Sequence, residues 1–220
     1  MKLDPKLVPA LTLKAKLAMA ANRYDVARES LKRAIAADPK SWYAQFLYGF
    51  QFYHQNELPA AVEALEKARR LKPDDARTAL YLGLARESLG QTEEALNSYR
   101  EAIRLGEASG HLETDMLLSY GRLLMLMGNF EECGRQIEQV LKLAPDSRDA
   151  HFEQARLLLK TGDAAGAARE GTTALKLRSG DVTDRQIHFV LIQAFQAAGH
   201  EDEAEKHAAA IREIDARERK

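Results

Sequence analysis

Cysteine and histidine are the residues of this chain whose chemistry could support nucleophilic catalysis or metal binding. The 220-residue sequence holds one cysteine, Cys133, and six histidines. Cys133 stands where other copies of a pattern described below have alanine, so a buried thiol acting as a small apolar group is favoured over a reactive nucleophile. His151 and His188 fall at equivalent positions of two neighbouring copies, but two histidines without a third ligand make a poor zinc site. Packing histidines are therefore favoured over a metal site.

The remaining candidates for chemistry do not form a catalytic or phosphate-binding motif. Gly162, Gly166 and Gly171 lack a following Gly-Lys-Ser/Thr, so they do not make a phosphate loop. Charged runs such as residues 63–70 alternate at helical spacing and are interpreted as solvated outer faces. Four histidines show no ligand spacing: His54, His111, His200 and His207. We expect no enzyme activity, no metal and no cofactor.

Composition limits the partners and the compartment. Lys and Arg total 32 against 33 Asp and Glu, so no global field favours nucleic acid or a membrane as a partner. No apolar run reaches the length of a membrane span, and the first ten residues have no signal-peptide core. We expect a soluble chain, cytoplasmic by default, or exported if a signal peptide has been removed from it.

A recurring helical pattern must position whatever site exists, and its clearest copy begins at Trp42. In a 34-residue frame that counts Trp42 as position one, large residues fill positions seven, eleven and twenty-four, and small ones fill eight, twenty and twenty-seven. With the proline at thirty-two, the residues in order are Tyr48, Gly49, Phe52, Ala61, Leu65, Ala68 and Pro73. Large side chains would fill the space between two helices, and small ones would let the helices approach. The pattern therefore predicts a helical hairpin.

Position twenty shows that this hairpin recurs along the chain. It holds a small residue six times, at separations of 34, 34, 38, 34 and 37 residues. The six residues are Ala27, Ala61, Ala95, Cys133, Ala167 and Ala204. This spacing resembles that of tetratricopeptide-repeat (TPR) proteins. Six copies are assigned to residues 8–41, 42–75, 76–109, 114–147, 148–181 and 185–218.

The resemblance implies an all-α fold. We expect a single domain over residues 1–220, an α-α superhelix (TPR solenoid) of about twelve antiparallel helices. The fifth copy has Gln154 and Gly171 where large residues normally fill the hairpin, so it is expected to be the softest. Residues 3–5 fit positions thirty to thirty-two, so the chain is expected to begin at the tail of a further repeat.

The resemblance also implies a binding scaffold whose inner wall is made by the first helix of each copy. In TPR proteins this wall presents frame positions two, five, six, nine, twelve and thirteen. Carried over one residue at a time, its aromatic and basic candidates are Tyr43, Phe46, Phe50, Tyr53, Arg77, Tyr81, Arg122, Phe152 and Arg156. Two alternatives stay open: the aromatic rings pack between neighbouring first helices, and the two later arginines are solvated or pair with Glu153.

The expected function is a non-catalytic protein-protein interaction scaffold that binds a peptide or protein segment in its concave groove. The carboxylate clamp of the chaperone-binding branch of the family is not expected, because only Arg77 matches its basic and asparagine positions. The alternative is an assembly module that self-associates through its N-terminal end as a homo-oligomer, or a fragment of a longer TPR protein.

Overall fold

Twelve α-helices build residues 7–218, the part of the chain that this computed structural model describes. The first six are α1 (Leu7–Ala20), α2 (Tyr24–Ala37), α3 (Trp42–His54), α4 (Leu58–Leu71), α5 (Ala76–Ser88) and α6 (Thr92–Ser109). The next six are α7 (Thr114–Leu126), α8 (Phe130–Leu143), α9 (Arg148–Thr161), α10 (Ala164–Lys176), α11 (Asp184–Ala197) and α12 (Glu201–Glu218). No strand occurs between residues 7 and 218. The predicted all-α fold of about twelve helices is confirmed.

The helices divide between two compact units, Met1–Met116 and Leu117–Lys220. In the first unit, α1 packs on α2, α3 on α4 and α5 on α6, and successive hairpins stack through α2–α3 and α4–α5 contacts. In the second unit, α8 packs on α9, and the hairpins α9–α10 and α11–α12 meet through α10 and α11. The assignment of residues 1–220 to a single domain stays a prediction. The predicted repeat tail at residues 3–5 lies outside the described residues.

One residue with left-handed backbone closes each of the six hairpins. The φ angles are 56° at Asn22, 59° at Asn56, 73° at Gly90, 76° at Gly128, 90° at Gly162 and 76° at Gly199. Glycine carries no penalty in this conformation, and asparagine tolerates it better than most residues. The separations between these six residues are the same as those between the six small residues of position twenty.

Side-chain caps fix where several first helices begin. Each capping oxygen accepts a hydrogen bond from the backbone N–H three residues further on, over distances of 3.0 to 3.3 Å. The capping residues are Ser41 before α3, Asp75 before α5, Ser147 before α9 and Thr183 before α11. Such a cap satisfies a helix N–H that has no partner within the helix.

The small residues of position twenty lie in the core. The first five are fully buried, and Ala204 is 3% exposed. Gly49 permits a similarly close approach between α3 and α4, because a Cβ there would lie 2.5 Å from Cγ of Leu65. Across residues 7–218, no helix combines the length and the apolar character needed to span a membrane.

Candidate functional site

Four aromatic residues lie along one face of α3, at steps of three, four and three residues: Tyr43, Phe46, Phe50 and Tyr53. Such steps keep side chains on one side of a helix. The ring centroids of Tyr43 and Phe46 are 6.2 Å apart, as are those of Phe46 and Phe50. Phe46 is buried, with 5% of its surface exposed, whereas the other three are only half-buried. The α3 face therefore keeps part of its aromatic surface accessible.

Tyr81 of α5 packs edge-on against this face. Its ring centroid lies 4.9 Å from that of Phe50, 5.7 Å from Tyr53 and 5.9 Å from Phe46. Edge-to-face pairs at these distances are attractive beyond the area that they bury. The rings thus do pack between neighbouring first helices, one of the two alternatives left open above, while Tyr81 itself stays half-buried.

Four of these rings, those of Tyr43, Phe46, Phe50 and Tyr81, line a groove of about 530 Å³ in the first unit. Lys16 and Met19 of α1 form one side, and Glu113 and Asp115 form part of the other. The floor comes from α3 and α5, including Phe50, His54, Arg77 and Tyr81. Tyr53 is in ring contact with two floor residues, Tyr81 and His54.

Arg77 adds a partly exposed cation to the floor. Its guanidinium carbon lies 5.5 Å from the centroid of the Phe46 ring, a cation–π arrangement. Nη2 donates a hydrogen bond of 3.2 Å to Oδ1 of Asp75, the residue that caps α5. The Arg77 side chain is still 45% exposed, so guanidinium donors remain for a partner.

Burial shifts the titration of the groove residues. It lowers the pKa of His54, so this imidazole is neutral at pH 7. Burial is also the largest cause of the raised pKa values of Tyr53 and Tyr81, to which neighbouring carboxylates add. These three side chains are therefore uncharged at neutral pH.

Sequence reasoning missed the two carboxylates. Asp115 occupies position two of the fourth copy, which is an inner-wall position. The repeat pattern could therefore have identified it as a candidate site residue. Glu113 lies in the four-residue insertion 110–113, for which the frame predicts nothing.

Arg122 and Arg156 share one buried carboxylate in the second unit. Nε of Arg122 donates to Oε1 of Glu153 at 2.9 Å, and Nη1 of Arg156 donates to Oε2 at 2.7 Å. The Glu153 side chain is 4% exposed, whereas the arginines are 44% and 36% exposed. Of the alternatives stated for these two arginines, the structure shows the pairing with Glu153. The cluster keeps one net positive charge.

Phe152 lies beneath this cluster and offers a partner little surface. It is 8% exposed and packs with Ile187 and Leu191 of α11 in the core of the second unit. The Arg156 guanidinium lies 5.7 Å from the centroid of its ring. The structure therefore places Phe152 as a support for Arg156, not as a projecting ring.

The candidate nucleophile is buried in the second unit. Cys133 is a free cysteine with no exposed surface. Burial, together with the charge of Glu153, raises the pKa of its thiol to about 11. The thiol is therefore protonated at neutral pH, which fits a small apolar core residue.

Each of the two candidate histidines contacts a side chain of its own copy. His151 contacts Glu170, with Nδ1 2.7 Å from Oε2, and His188 contacts His207, with the two Nδ1 atoms 2.8 Å apart. Both contacts join position four of a copy to position twenty-three of the same copy, a correspondence that the sequence contained. The described residues hold no group of three or more His, Cys, Asp or Glu side chains able to bind a metal ion.

Comparisons with known proteins agree with the repeat pattern. A family model described as "Tetratricopeptide repeat" matches residues 12–76, 51–111 and 118–182. Anaphase-promoting complex subunit 3 of Schizosaccharomyces pombe is 22% identical over 151 residues, which cover 69% of this chain and 22% of that protein. The matched region thus spans less than a quarter of that relative.

Two solved structures show the same fold at low sequence identity. PilW, described as a widely conserved type IV pilus biogenesis factor, superposes with a TM-score of 0.84 at 19% identity, covering 94% of this chain and 93% of its own. PilF of Pseudomonas aeruginosa superposes with a TM-score of 0.81 at 18% identity, covering 95% and 92%.

Proposed function

The chain belongs to the tetratricopeptide-repeat family, and on that premise we propose that it is a non-catalytic protein-interaction scaffold that holds a partner segment in the groove of its first unit. The observation that carries this proposal is the row of half-buried rings on α3 and α5, which lines a groove of about 530 Å³. Aromatic side chains are the commonest anchors of protein interfaces. The proposed anchors are Tyr43, Phe50, Tyr53 and Tyr81, with Phe46 beneath them and Arg77 beside them.

The geometry supports this role because the rings are already ordered against one another. A preorganised anchor loses little side-chain entropy when a partner binds. Phe50 contacts His54 at 4.3 Å and Tyr81 at 4.9 Å between ring centroids, so its rotamer is held while part of its surface faces the groove. The name of the fission yeast relative, a subunit of a complex, also supports a role in protein assembly.

The arginine cluster of the second unit is proposed as a supplementary electrostatic contact. Arg122 and Arg156 are partly exposed and carry one more positive charge than Glu153 neutralises. Phe152 contributes indirectly, by holding the Arg156 guanidinium from below. Such a contact would be sensitive to salt, because it lies at an exposed surface.

The experiment that tests the proposal is replacement of Phe50 by alanine. Partners captured by the folded chain and identified by mass spectrometry would be titrated calorimetrically against wild type and Phe50→Ala. We expect binding to weaken by more than about 1 kcal/mol, the effect of losing an interface anchor. Circular dichroism would establish that the variant is folded.

Leu126→Ala is the matched control, because Leu126 is 73% exposed on α7 and lies outside the groove. Its affinity should equal that of wild type. Unchanged affinity in folded Phe50→Ala would refute the groove as the binding site.

A second candidate function, self-association, is favoured by an exposed apolar face of α1. Leu13 and Leu17 are 56% and 62% exposed, and Ala10 and Ala20 extend the same face at helical spacing. We propose that this face stacks on a second copy of the chain. Residues 1–6, which belong to the predicted N-terminal contact, lie outside the described residues.

A further inference from the structure

Two carboxylates with no ion pair stand at one side of the groove. Glu113 precedes α7, Asp115 lies in its first turn, and both side chains are exposed. Neither forms an ion pair with another residue of 7–218. A pair of acidic side chains without a counter-ion attracts a cation from solution.

The rings beside these carboxylates offer the second feature that a cation favours. Tyr53 and Tyr81 are in edge-to-face contact at 5.7 Å, and Phe50 adds a third ring 4.9 Å from Tyr81. Ring faces attract cations through their quadrupole. The hydroxyls of Tyr53 and Tyr81 form no hydrogen bond to any other side chain or backbone group within the described range. They are therefore available to a partner.

The acids line the same groove as the Tyr81 ring, and their charges act on it. Burial is the largest cause of the raised pKa of Tyr81; the charges of Tyr53, Asp115 and Glu113 raise it further, whereas the charge of Arg77 lowers it. Burial followed by the charge of Glu87 raises the pKa of Tyr53. Carboxylates therefore act on both tyrosines, and at Tyr81 Arg77 opposes them.

The groove also carries positive charge. Lys16 of α1 lines it, is exposed and has no ion pair with a residue of 7–218. Arg77 of α5 lines it too, and its side chain is 45% exposed although it pairs with Asp75. The groove therefore presents groups of both charge signs to a partner.

We infer, on the basis of the proposed function, that the groove recognises a peptide segment that carries a lysine or arginine next to an apolar residue. The cation lies between the Tyr53 and Tyr81 rings and the carboxylates of Glu113 and Asp115, and the apolar side chain lies against Phe50. An acidic residue on the other flank of the segment would meet Lys16. The groove thus sets both the composition of the partner and its direction.

A library of random dodecapeptides displayed on phage is the probe for this inference. Peptides selected on wild type would be rescreened on Phe50→Ala, and only those lost on this variant count as groove ligands. We expect lysine or arginine to be enriched beside an apolar residue among them. Selection on the double variant Glu113→Gln/Asp115→Asn should lose this enrichment.

One selected peptide, synthesised with its basic residue intact or replaced by norleucine, completes a double-mutant cycle. Norleucine should weaken binding to wild type about fivefold, the size of one partly exposed cation–π contact together with a surface ion pair. On the double variant, which keeps the rings, the same replacement should weaken binding clearly less, because only the cation–π contact remains. Glu131→Gln is the control variant, because Glu131 is 86% exposed on α8 outside the groove.

The outcomes separate this inference from the proposed function. Peptides that depend on Phe50 but show no basic preference, or whose lysine matters equally in the double variant, would overturn the inference and leave the scaffold proposal standing. A selection that yields no Phe50-dependent peptide would contradict both.

Discussion

The His188–His207 contact makes the stability of the second unit depend on pH. Burial lowers the pKa of both imidazoles, and the charge of His188 lowers that of His207 further. The charge of Asp184 raises the pKa of His188. At His207, the charge of Glu203 raises the pKa and the charge of Lys206 lowers it. Because the folded pKa values lie below the unfolded value of 6.5, the unfolded chain binds more protons. The contribution of these two histidines to the free energy of unfolding is therefore complete above about pH 6.5, and it decreases as the pH drops below that value.

We predict that the thermal midpoint falls by a few degrees between about pH 7.5 and about pH 5.5, and that the double variant His188→Gln/His207→Gln flattens this slope. Thermal denaturation followed by circular dichroism at several pH values measures it. Some slope should remain, because the pKa of His54 is lowered too. His111→Gln, at an exposed histidine, is the control and should match wild type. A double variant with the wild-type slope would refute the role of the pair.

The contrast between Phe46 and Phe50 shows what residue types alone could not predict. Both lie on the same face of α3, and the frame assigns both to the inner wall. Phe46 is nevertheless buried, because the Arg77 guanidinium and the Tyr81 ring lie against it. Exposure at this scale depends on side chains of the next hairpin, which a pattern within one copy does not specify.

At the scale of the element, α1 provides the clearest test of self-association. Leu13 and Leu17 are exposed, so Leu17→Lys should change the free energy of unfolding by no more than about 0.5 kcal/mol. It should nonetheless break a contact between two copies of the chain, since it places a charge in an apolar interface. Light scattering should therefore report a larger mass for wild type than for Leu17→Lys.

Leu126→Lys controls for the added charge, because Leu126 is exposed on α7. It should leave the mass unchanged. A wild type that is already monomeric, or an oligomer that survives Leu17→Lys, would contradict self-association through α1.

The elements themselves were largely predictable because the repeat specifies them locally. The small residue at position twenty predicts where the two helices of a hairpin come into close contact. The residues Asn56 and Gly162 predict the turns between those helices. The fifth copy shows the limit of this reasoning. Gly171 predicts a poorly filled hairpin, yet a Cβ there would lie 2.8 Å from Cδ2 of Leu191, so α11 fills the space. That filling comes from the neighbouring copy; the expected softness of residues 148–181 stays a prediction.

At the scale of the whole molecule, the repeat predicts the helices but not which groove binds. The frame gave similar weight to aromatic residues of the second and third copies and to arginines of the fourth and fifth. The structure separates them: the rings line a groove in the first unit, whereas Arg122 and Arg156 share Glu153 in the second. The two sets differ because Glu153 pairs with both arginines. From the repeat spacing alone, this pairing was only one of several alternatives.

Hydrogen exchange of the chain with and without its captured partner tests the central claim most directly. If the groove of the first unit holds the partner, amide exchange should slow in α3 and α5, residues 42–54 and 76–88, because a bound segment stabilises the helices that it contacts. The second helices of the same hairpins, residues 58–71 and 92–109, should change much less. Protection confined to those second helices, or to residues 117–218, would contradict the account.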